Sequence, residues 1–200
     1  MPGLQDLSLV FIAYLIGSIP FGLLVSQAVA RVDIRRYGSG NIGTANVLRT
    51  VGKGAAVLTL AGDLLKGFLP ALAARLLGGS ELLVAGVGMA AVLGHNWSIY
   101  LRFTGGKGVA TTLGALLAIA LFPTLLGLLV WIGVLLAFRY TSLAALTASA
   151  CIPPLIFFST GSGPYLTFSI LAVLLIFVRH RDNIRRLWAG TEHRIGQRVR

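Results

Sequence analysis

Charged residues are scarce in this 200-residue chain, at 12% of the sequence, whereas hydrophobic residues make up 56%. A soluble domain carries about 25% charged residues, so this composition leaves too little polar surface for a water-soluble fold. The apolar residues also form long uncharged runs, which are typical of membrane spans. The sequence therefore predicts an all-α integral membrane protein whose residues 1–200 form a single domain.

Cysteine and acidic residues are also rare. Cys151 is the only cysteine and lies in an apolar run, which excludes an internal disulfide and a zinc site built on cysteines. The six Asp and Glu residues are too few and too scattered to hold a metal ion. Neither a metal nor another cofactor is expected.

Basic residues are in excess, with 17 Lys and Arg and a net charge of +11. Such a balance raises the question of nucleic-acid binding. These residues flank apolar runs, however, where basic side chains set membrane topology and contact anionic lipid. We expect membrane lipid, and not nucleic acid, to be their partner.

Three patterns of known hydrolases and transferases are absent. No Gly-x-Ser-x-Gly nucleophile elbow occurs. The residues five positions after the three histidines are Tyr100, Arg185 and Arg198, so the His–Asp pair of acyl-CoA acyltransferases is missing. The four aspartates are scattered, which excludes the aspartate-rich signature of membrane CDP-alcohol transferases.

Seven apolar runs predict seven transmembrane helices. They are residues 7–29, 54–77, 82–94, 109–121, 122–138, 142–158 and 165–178. Several are shorter than the ~20 residues of a full span, so flanking residues or dipping loops must complete them. Pro20 is expected to kink the first helix, and Pro123 to break the uncharged stretch 108–138.

The basic residues also predict the orientation. With seven spans, the basic loop residues other than Arg75 lie on one side, together with the basic segment that starts at Arg179. With six spans, that segment would lie opposite. The positive-inside rule therefore favours an outer N-terminus, a cytoplasmic C-terminus and ordered glycine-rich loops in the cytoplasm.

The first of these loops, residues 37–49, combines three glycines with Ser39, Asn41, Asn46 and Arg49. Converging N–H groups, neutral donors and a guanidinium suit a phosphate group. A plain turn with a helix cap at Asn46 is the alternative interpretation.

The second loop ends in Gly105, Gly106, Lys107 and Gly108, directly before a predicted helix. Free N–H groups, the positive helix end and an ammonium group together form an anion site. The loop is not a Walker A motif, because Gly108 stands where Ser or Thr is required. The alternative is a glycine hinge with a snorkelling lysine.

The third polar segment, residues 179–192, places His180 and Asn183 at the membrane boundary, where we favour a substrate role for them. Arg181 and Arg185 are better explained as contacts with anionic lipid.

Two charged residues lie within the second predicted span, and a lone histidine directly follows the third. Asp63 and Lys66, spaced i,i+3, either pair with each other or take part in chemistry. His95 is a candidate base, ligand or capping donor.

Four segments, residues 13–22, 38–52, 94–114 and 179–192, resemble the bacterial acyl-phosphate-dependent glycerol-3-phosphate acyltransferases, and the resemblance covers nearly the whole chain in order. It implies a seven-helix enzyme of the bacterial inner membrane. Such an enzyme transfers a fatty acyl group from acyl phosphate to the sn-1 hydroxyl of glycerol 3-phosphate, which is the first step of phospholipid synthesis. The resemblance also implies possible association with an enzyme that makes acyl phosphate.

The resemblance further implies the site residues. Those that would hold glycerol 3-phosphate are Ser39, Arg49, Lys107, His180 and Asn183, with Ser142 as a further binding residue. Those that would hold the acyl-phosphate group are Asn41, Asn46, Gly105, Gly106 and Gly108. Catalysis would rest on positioning and charge stabilisation by Lys107 and Arg49, with His180 or a substrate phosphate oxygen as the base.

The chain departs from the family pattern at Thr44-Ala45, which stand in the reverse of the usual order, and at Thr104 and Ala145, where a basic residue and a serine are common. A membrane anion transporter or channel remains the alternative function. The lack of an inverted repeat and the small number of polar residues deep in the helices argue against it.

Overall fold

The computed structural model describes residues 3–196, which are helical apart from turns, loops and one bridge between Ser98 and Thr104. The expected all-α class is confirmed. The α-helices of this part of the chain are α1 (Leu4–Gly17), α2 (Phe21–Ala30), α3 (Thr44–Thr50), α4 (Lys53–Leu76), α5 (Glu81–Asn96), α6 (Val109–Ile119), α7 (Leu121–Phe138), α8 (Thr141–Thr160), α9 (Gly163–Arg179) and α10 (Arg181–Trp188). Short 3₁₀ turns, Ile34–Arg36 and Ile99–Leu101, precede α3 and α6.

Four segments of residues 3–196 are long and apolar enough to cross a membrane, namely Leu4–Ala30, α4, α7 and α8. The pair α9 and α10, bent by 61°, makes a fifth if it is taken as one span. α5 and α6 are apolar but have 16 and 11 residues. At 1.5 Å per residue they reach about 24 and 16 Å, less than the ~30 Å hydrocarbon core.

The first apolar run is broken where the sequence predicts. α1 ends at Gly17, and Pro20 is the N-cap of α2 with φ −88° and ψ 72°. Because proline lacks an N–H and fixes φ, a continuous helix through this position is disfavoured. The Ile19 carbonyl lies in the break.

The break in the uncharged stretch 108–138 lies at Ala120 and not at Pro123, contrary to expectation. α6 ends at Ile119, Ala120 has φ −150° and ψ 83°, and α7 begins at Leu121. Pro123 lies in the first turn of α7, where a missing N–H removes no helical hydrogen bond. The proline therefore starts a helix instead of interrupting one.

Glycines bring two pairs of helices into backbone contact. A Cβ added to Gly67 of α4 would overlap the backbone of α6, and one added to Gly114 of α6 would overlap the backbone of α4. Gly17 and Gly94 allow the same approach of α1 and α5. Small residues are the usual basis of helix packing in membranes. The first pair of contacts fixes the start of α6, and therefore the loop before it, against α4.

Large apolar side chains cover the outer faces of the bundle. Leu129 of α7 is 64% exposed and Phe158 of α8 is 84% exposed, whereas Ile156 and Phe168 are buried in the core between α8 and α9. This distribution is the one that a lipid environment requires.

Candidate active site

A cavity opens where the loops before α3 and α6 meet the start of α8 and the junction of α9 and α10. Its polar end is lined by Ser39, Asn41, Asn46, Arg49, Lys107, Gly108, Ser142, His180 and Asn183. Its deeper arm lies between α6, α7, α8 and α9 and is lined by Leu116, Leu128, Trp131, Ile152, Val173 and Ile176, among others. Every site residue expected from the sequence therefore lines this cavity, except Gly105 and Gly106.

Asn46 lies in the first turn of α3 and shapes the loop before it. Its Nδ2 donates to the carbonyl oxygens of Ile34, Tyr37 and Asn41 at 3.2, 3.0 and 2.9 Å. Its Oδ1 accepts from the Ser39 N–H at 3.0 Å. Because the amide is 2% exposed and bonded on both sides, it has no donor left for a ligand.

Arg49 is the cation of the first loop. It follows Asn46 by one turn of α3, so the same short helix fixes the loop and carries the guanidinium into the cavity wall. Burial lowers the pKa of Arg49 from its ordinary value, yet an arginine stays charged in proteins. Within residues 3–196 its side chain has no hydrogen bond to the protein, so its donors can be used by an anion.

Lys107 is the cation of the second loop. Its ammonium donates to Oδ1 of Asn183. Burial lowers the pKa of Lys107 to about 8; the negative charge of Glu192 opposes this shift, and the positive charges of Arg186 and Arg49 add to it. Three cations therefore lie near one point, which favours an anionic ligand between them.

Gly108 forms the entrance to α6. It has φ +79° and is the N-cap of the helix, a conformation that glycine adopts without strain. Val109 and Ala110, in the first turn of α6, also line the cavity, and the free N–H groups of a helix N-terminus favour an anion.

Gly105 and Gly106 lie behind the cavity wall. Arg179 donates from Nη2 to the Gly105 carbonyl at 2.7 Å and from Nε to the Gly106 carbonyl at 2.9 Å. On the other side, the Gly106 N–H donates to the His95 carbonyl at 3.0 Å. These two glycines hold the turn in place, and the residues that follow them face the cavity.

Glu192 connects the third segment to α8, a role that could not be assigned from the amino-acid sequence. Its Oε1 accepts from Ser142 Oγ at 2.8 Å and from Asn183 Nδ2 at 2.6 Å, and its Oε2 accepts from Arg186 Nε at 2.7 Å. Burial alone would raise the pKa of Glu192, but these hydrogen bonds lower it. The available signal was that the basic segment 179–192 contains two acids, Asp182 and Glu192.

The ionised Glu192 sets the polarity of its neighbours. A carboxylate only accepts hydrogen bonds, so the Ser142 hydroxyl donates its hydrogen to Glu192. The lone pairs of the Ser142 oxygen remain available to a ligand in the cavity. Asn183 turns its NH₂ to Glu192, which leaves its Oδ1 for Lys107.

His180 follows α9 and presents a neutral ring. Its Nδ1 lies 2.8 Å from the Ile176 carbonyl oxygen. Because a carbonyl only accepts, Nδ1 is the donor and Nε2 carries the free lone pair. Burial, assisted by the charge of Lys107, lowers the pKa of His180 to about 4. The ring is therefore a neutral acceptor at physiological pH.

Asp63 and His95 also line the cavity wall, below the second loop. In residues 3–196 no three side chains among His, Cys, Asp and Glu come together as a group that could hold a metal ion. The polar end can thus bind phosphate groups through cations and N–H donors, and it offers hydrogen-bond acceptors at Ser142 and His180.

Comparison with known sequences agrees with this chemistry. A family model described as glycerol-3-phosphate acyltransferase matches residues 7–190. A glycerol-3-phosphate acyltransferase of Geotalea daltonii is 48% identical over 189 residues, which cover 94% of this chain and 97% of the relative. One of Rubrobacter xylanophilus is 47% identical over 194 residues, 96% of each chain.

Solved structures give the same result. The glycerol 3-phosphate form of PlsY, an integral membrane glycerol 3-phosphate acyltransferase, superimposes with a TM-score of 0.92 and 43% identity over 96% of both chains. The lysophosphatidic acid form of PlsY gives a TM-score of 0.90 and 42% identity over the same share of both chains.

Proposed function

The chain belongs to the glycerol-3-phosphate acyltransferase family and is an acyltransferase, and from this premise we propose that it transfers a fatty acyl group from acyl phosphate to the sn-1 hydroxyl of glycerol 3-phosphate. The products are lysophosphatidic acid and inorganic phosphate. The observation that carries the proposal is one cavity that joins a cationic end, with Arg49 and Lys107, to an apolar arm. Two phosphorylated substrates, one with a fatty chain, need this combination.

Glycerol 3-phosphate lies at the cationic end. Arg49 and Lys107 bind its phosphate group, with the Ser39 hydroxyl as a neutral donor. Asn183 and His180 hold the glycerol part, and Ser142 accepts a hydrogen bond from a glycerol hydroxyl because its own proton is directed to Glu192.

The acyl-phosphate group lies at the start of α6. The N–H groups after Gly108 and the positive helix end bind its phosphate, and Asn41 adds an amide. Asn46 contributes through the shape of its loop, since its own amide is fully used there. Gly105 and Gly106 contribute by holding the turn.

The acyl chain enters the apolar arm. Ser142 and Ile152 lie ten residues apart on α8, so the arm extends about 15 Å from the polar end at 1.5 Å per residue. That depth equals one leaflet, half of the ~30 Å hydrocarbon core, and therefore fits the chain of a membrane lipid.

The reaction needs no covalent enzyme intermediate, because acyl phosphate carries a good leaving group. The sn-1 oxygen attacks the acyl carbon, the bond from that carbon to the bridging phosphate oxygen breaks, and inorganic phosphate leaves. The hydroxyl proton passes to His180 Nε2 or directly to a phosphate oxygen. Lys107, Arg49 and the helix N–H groups stabilise the charge that develops, and one such donor is worth roughly 10²–10³ in rate.

The layout of the cavity supports seven crossings. Its polar end is lined by the loop before α3, the loop before α6, the start of α8 and the end of α9, so the pairs α4–α5, α6–α7 and α8–α9 each leave this end and return. Together with the charge distribution, this layout supports a cytoplasmic polar end, an outer N-terminus and a location in the bacterial inner membrane. An enzyme that makes acyl phosphate is a fitting partner there.

The direct test uses purified protein in detergent with palmitoyl phosphate and labelled glycerol 3-phosphate, and palmitoyl-CoA in parallel. Labelled lysophosphatidic acid should form when palmitoyl phosphate is the acyl donor and not when palmitoyl-CoA is. EDTA should leave the rate unchanged. Comparable rates with palmitoyl-CoA would contradict the choice of donor. A transporter would show no turnover without sealed compartments.

A further inference from the structure

Three buried ionisable side chains lie beneath the second loop and take no part in the chemistry above. Asp63, Lys66 and His95 are 2%, 3% and 3% exposed. Lys66 Nζ lies 2.7 Å from Asp63 Oδ1, and His95 Nδ1 lies 3.6 Å from the same oxygen. An ionised group inside a bilayer costs at least ~2.5–3.5 kcal/mol. The ion pair reduces this cost but gives no reason for the charges to be there.

Each member of this network, Asp63, Lys66 and His95, connects two elements. Lys66 of α4 also donates to the Ile19 carbonyl at 2.8 Å, in the break between α1 and α2. Asp63, one turn earlier on α4, faces the imidazole of His95 at the end of α5. The network therefore joins the first span, α4 and α5 at the level where the second loop begins.

His95 supports the second loop through its backbone and its side chain. Its carbonyl accepts from the Gly106 N–H at 3.0 Å. Its ring lies so close to Gly106 that a Cβ added there would overlap Nε2. The turn is also held by Arg179, which donates to the carbonyls of Gly105 and Gly106. The imidazole and the guanidinium together restrict the position of the turn.

We propose that His95 and Asp63 are positioning residues for the proposed acyl transfer: the Asp63 carboxylate, 3.6 Å from Nδ1 and not hydrogen-bonded to it, attracts the imidazole through its charge, and the imidazole sets the 105–108 turn so that Lys107 and the N–H groups of α6 meet the acyl-phosphate group. Lys66 balances the charge of Asp63 and fixes it to the first span. The inference rests on the proposed function, because it assigns the turn to acyl phosphate. A misplacement of about 1 Å at such a turn is enough to cost roughly 10²-fold in rate.

The test is a double-mutant cycle of Gly106→Ala and His95→Ala. In the wild-type background, Gly106→Ala forces a Cβ into the imidazole, so kcat/KM for palmitoyl phosphate should fall roughly 10²-fold. In the His95→Ala background the ring is gone, and adding Gly106→Ala should cost less than about threefold more. His95→Ala itself should raise KM for palmitoyl phosphate more than KM for glycerol 3-phosphate, which a residue that only packs the core would not do.

Thr59→Val is the control, because Thr59 is a buried polar residue of α4, the helix that carries Asp63, and within residues 3–196 its hydroxyl donates to the Ala55 carbonyl alone. It should leave both KM values unchanged. If His95→Ala does not fold, His95→Asn replaces it, since asparagine keeps a polar side chain near Asp63 and is shorter at Gly106.

The two proposals fail in different ways. If the wild-type protein makes no lysophosphatidic acid from palmitoyl phosphate, the proposed function is wrong. If the wild type is active and Gly106→Ala costs the same with and without the His95 ring, or folded His95 variants stay within about threefold of wild type, the positioning role is wrong.

Discussion

Lys107 carries more of the proposed chemistry than any other side chain, since it lies between Asn183 and the N-terminus of α6. We predict that Lys107→Met folds but loses roughly 10²–10³ in kcat/KM, the scale of one transition-state donor. Lys107→Arg should rescue poorly, because a planar guanidinium does not replace a point charge beside close-packed glycines. The measurement is steady-state kinetics with folding checked by gel filtration. If folded Lys107→Met enzyme has a kcat/KM within about threefold of wild type, the assigned role of Lys107 is wrong and the glycine turn is only a hinge.

The pH profile tests the same residue independently. The pKa of Lys107 is lowered to about 8, so the ammonium is present below this pH and is lost above it. We predict that kcat/KM for glycerol 3-phosphate, which reports the free enzyme, declines as the pH rises through about 8. In Lys107→Arg the residual activity should not decline in this range. A wild-type profile that stays flat to pH 10 would contradict the assignment.

A substitution of Glu192 tests whether the orientation of Ser142 and Asn183 matters, because Glu192 itself is not assigned a contact with substrate. Glu192→Gln keeps the size but replaces a charged acceptor that serves Ser142, Asn183 and Arg186. Hydrogen bonds to charged groups contribute about 1.5–3 kcal/mol each, so we predict a lower Tm and at least a roughly tenfold lower kcat/KM. Asp182→Asn is the control, because Asp182 is exposed and surface ion pairs contribute little. Equal effects of the two substitutions on Tm and kcat/KM would contradict the orienting role of Glu192.

Single-residue roles were the least predictable part of the site. The sequence placed Asn46 and Arg49 in one phosphate-binding loop, but it could not show that the Asn46 amide is consumed by three backbone carbonyls. Glu192 went unassigned because its partners lie on α8 and α10, 50 and 9 residues away. Composition indicates which groups can bind an anion, whereas only tertiary contacts show which of them are already occupied.

At the scale of elements, the depth of the apolar arm should determine which acyl-chain lengths the enzyme prefers. Ile152 lies over Gly127 of α7 near its deep end, and buried Ile119, Ile156 and Phe168 lie in the core beyond it. We predict that Ile152→Trp lowers kcat/KM for palmitoyl phosphate relative to decanoyl phosphate by on the order of tenfold, since each displaced methylene costs ~0.8 kcal/mol. The check is the ratio of the two kcat/KM values.

The control for the arm is Leu129→Trp on the outer face of α7, where Leu129 is 64% exposed. It adds the same bulk and should leave the ratio unchanged. An unchanged ratio in Ile152→Trp would place the acyl chain elsewhere.

Helices were more predictable than their ends. A backbone in lipid must satisfy its own hydrogen bonds, so each long apolar run had to become a helix, and α4, α7 and α8 follow the predicted runs closely. The ends depend on turns that apolar periodicity does not encode. α5 continues to Asn96, and α6 gives way to α7 at Ala120 because the chain bends before Pro123.

At the scale of the whole molecule, the bend between α9 and α10 brings distant parts of the chain together. The 61° angle turns His180 and Asn183 back over the cavity, towards residues of loops that lie far earlier in the sequence. The apolar run could predict the end of the span near residue 178, but the direction of the following basic helix depends on Glu192 and Arg186.

The topology prediction joins the charge pattern to the cavity. If the polar end is cytoplasmic, reporter fusions after Leu77 and at Arg200 should lie on opposite sides, and a fusion at Arg102 should lie on the side of Arg200. The Arg102 fusion is the decisive one, because α5 and α6 have only 16 and 11 residues and a re-entrant pair would leave the second loop on the side of Leu77. An Arg102 reporter on the same side as Leu77 would separate Lys107 from cytoplasmic glycerol 3-phosphate. It would also contradict the cavity itself, which requires the loops before α3 and α6 at one end of the bundle.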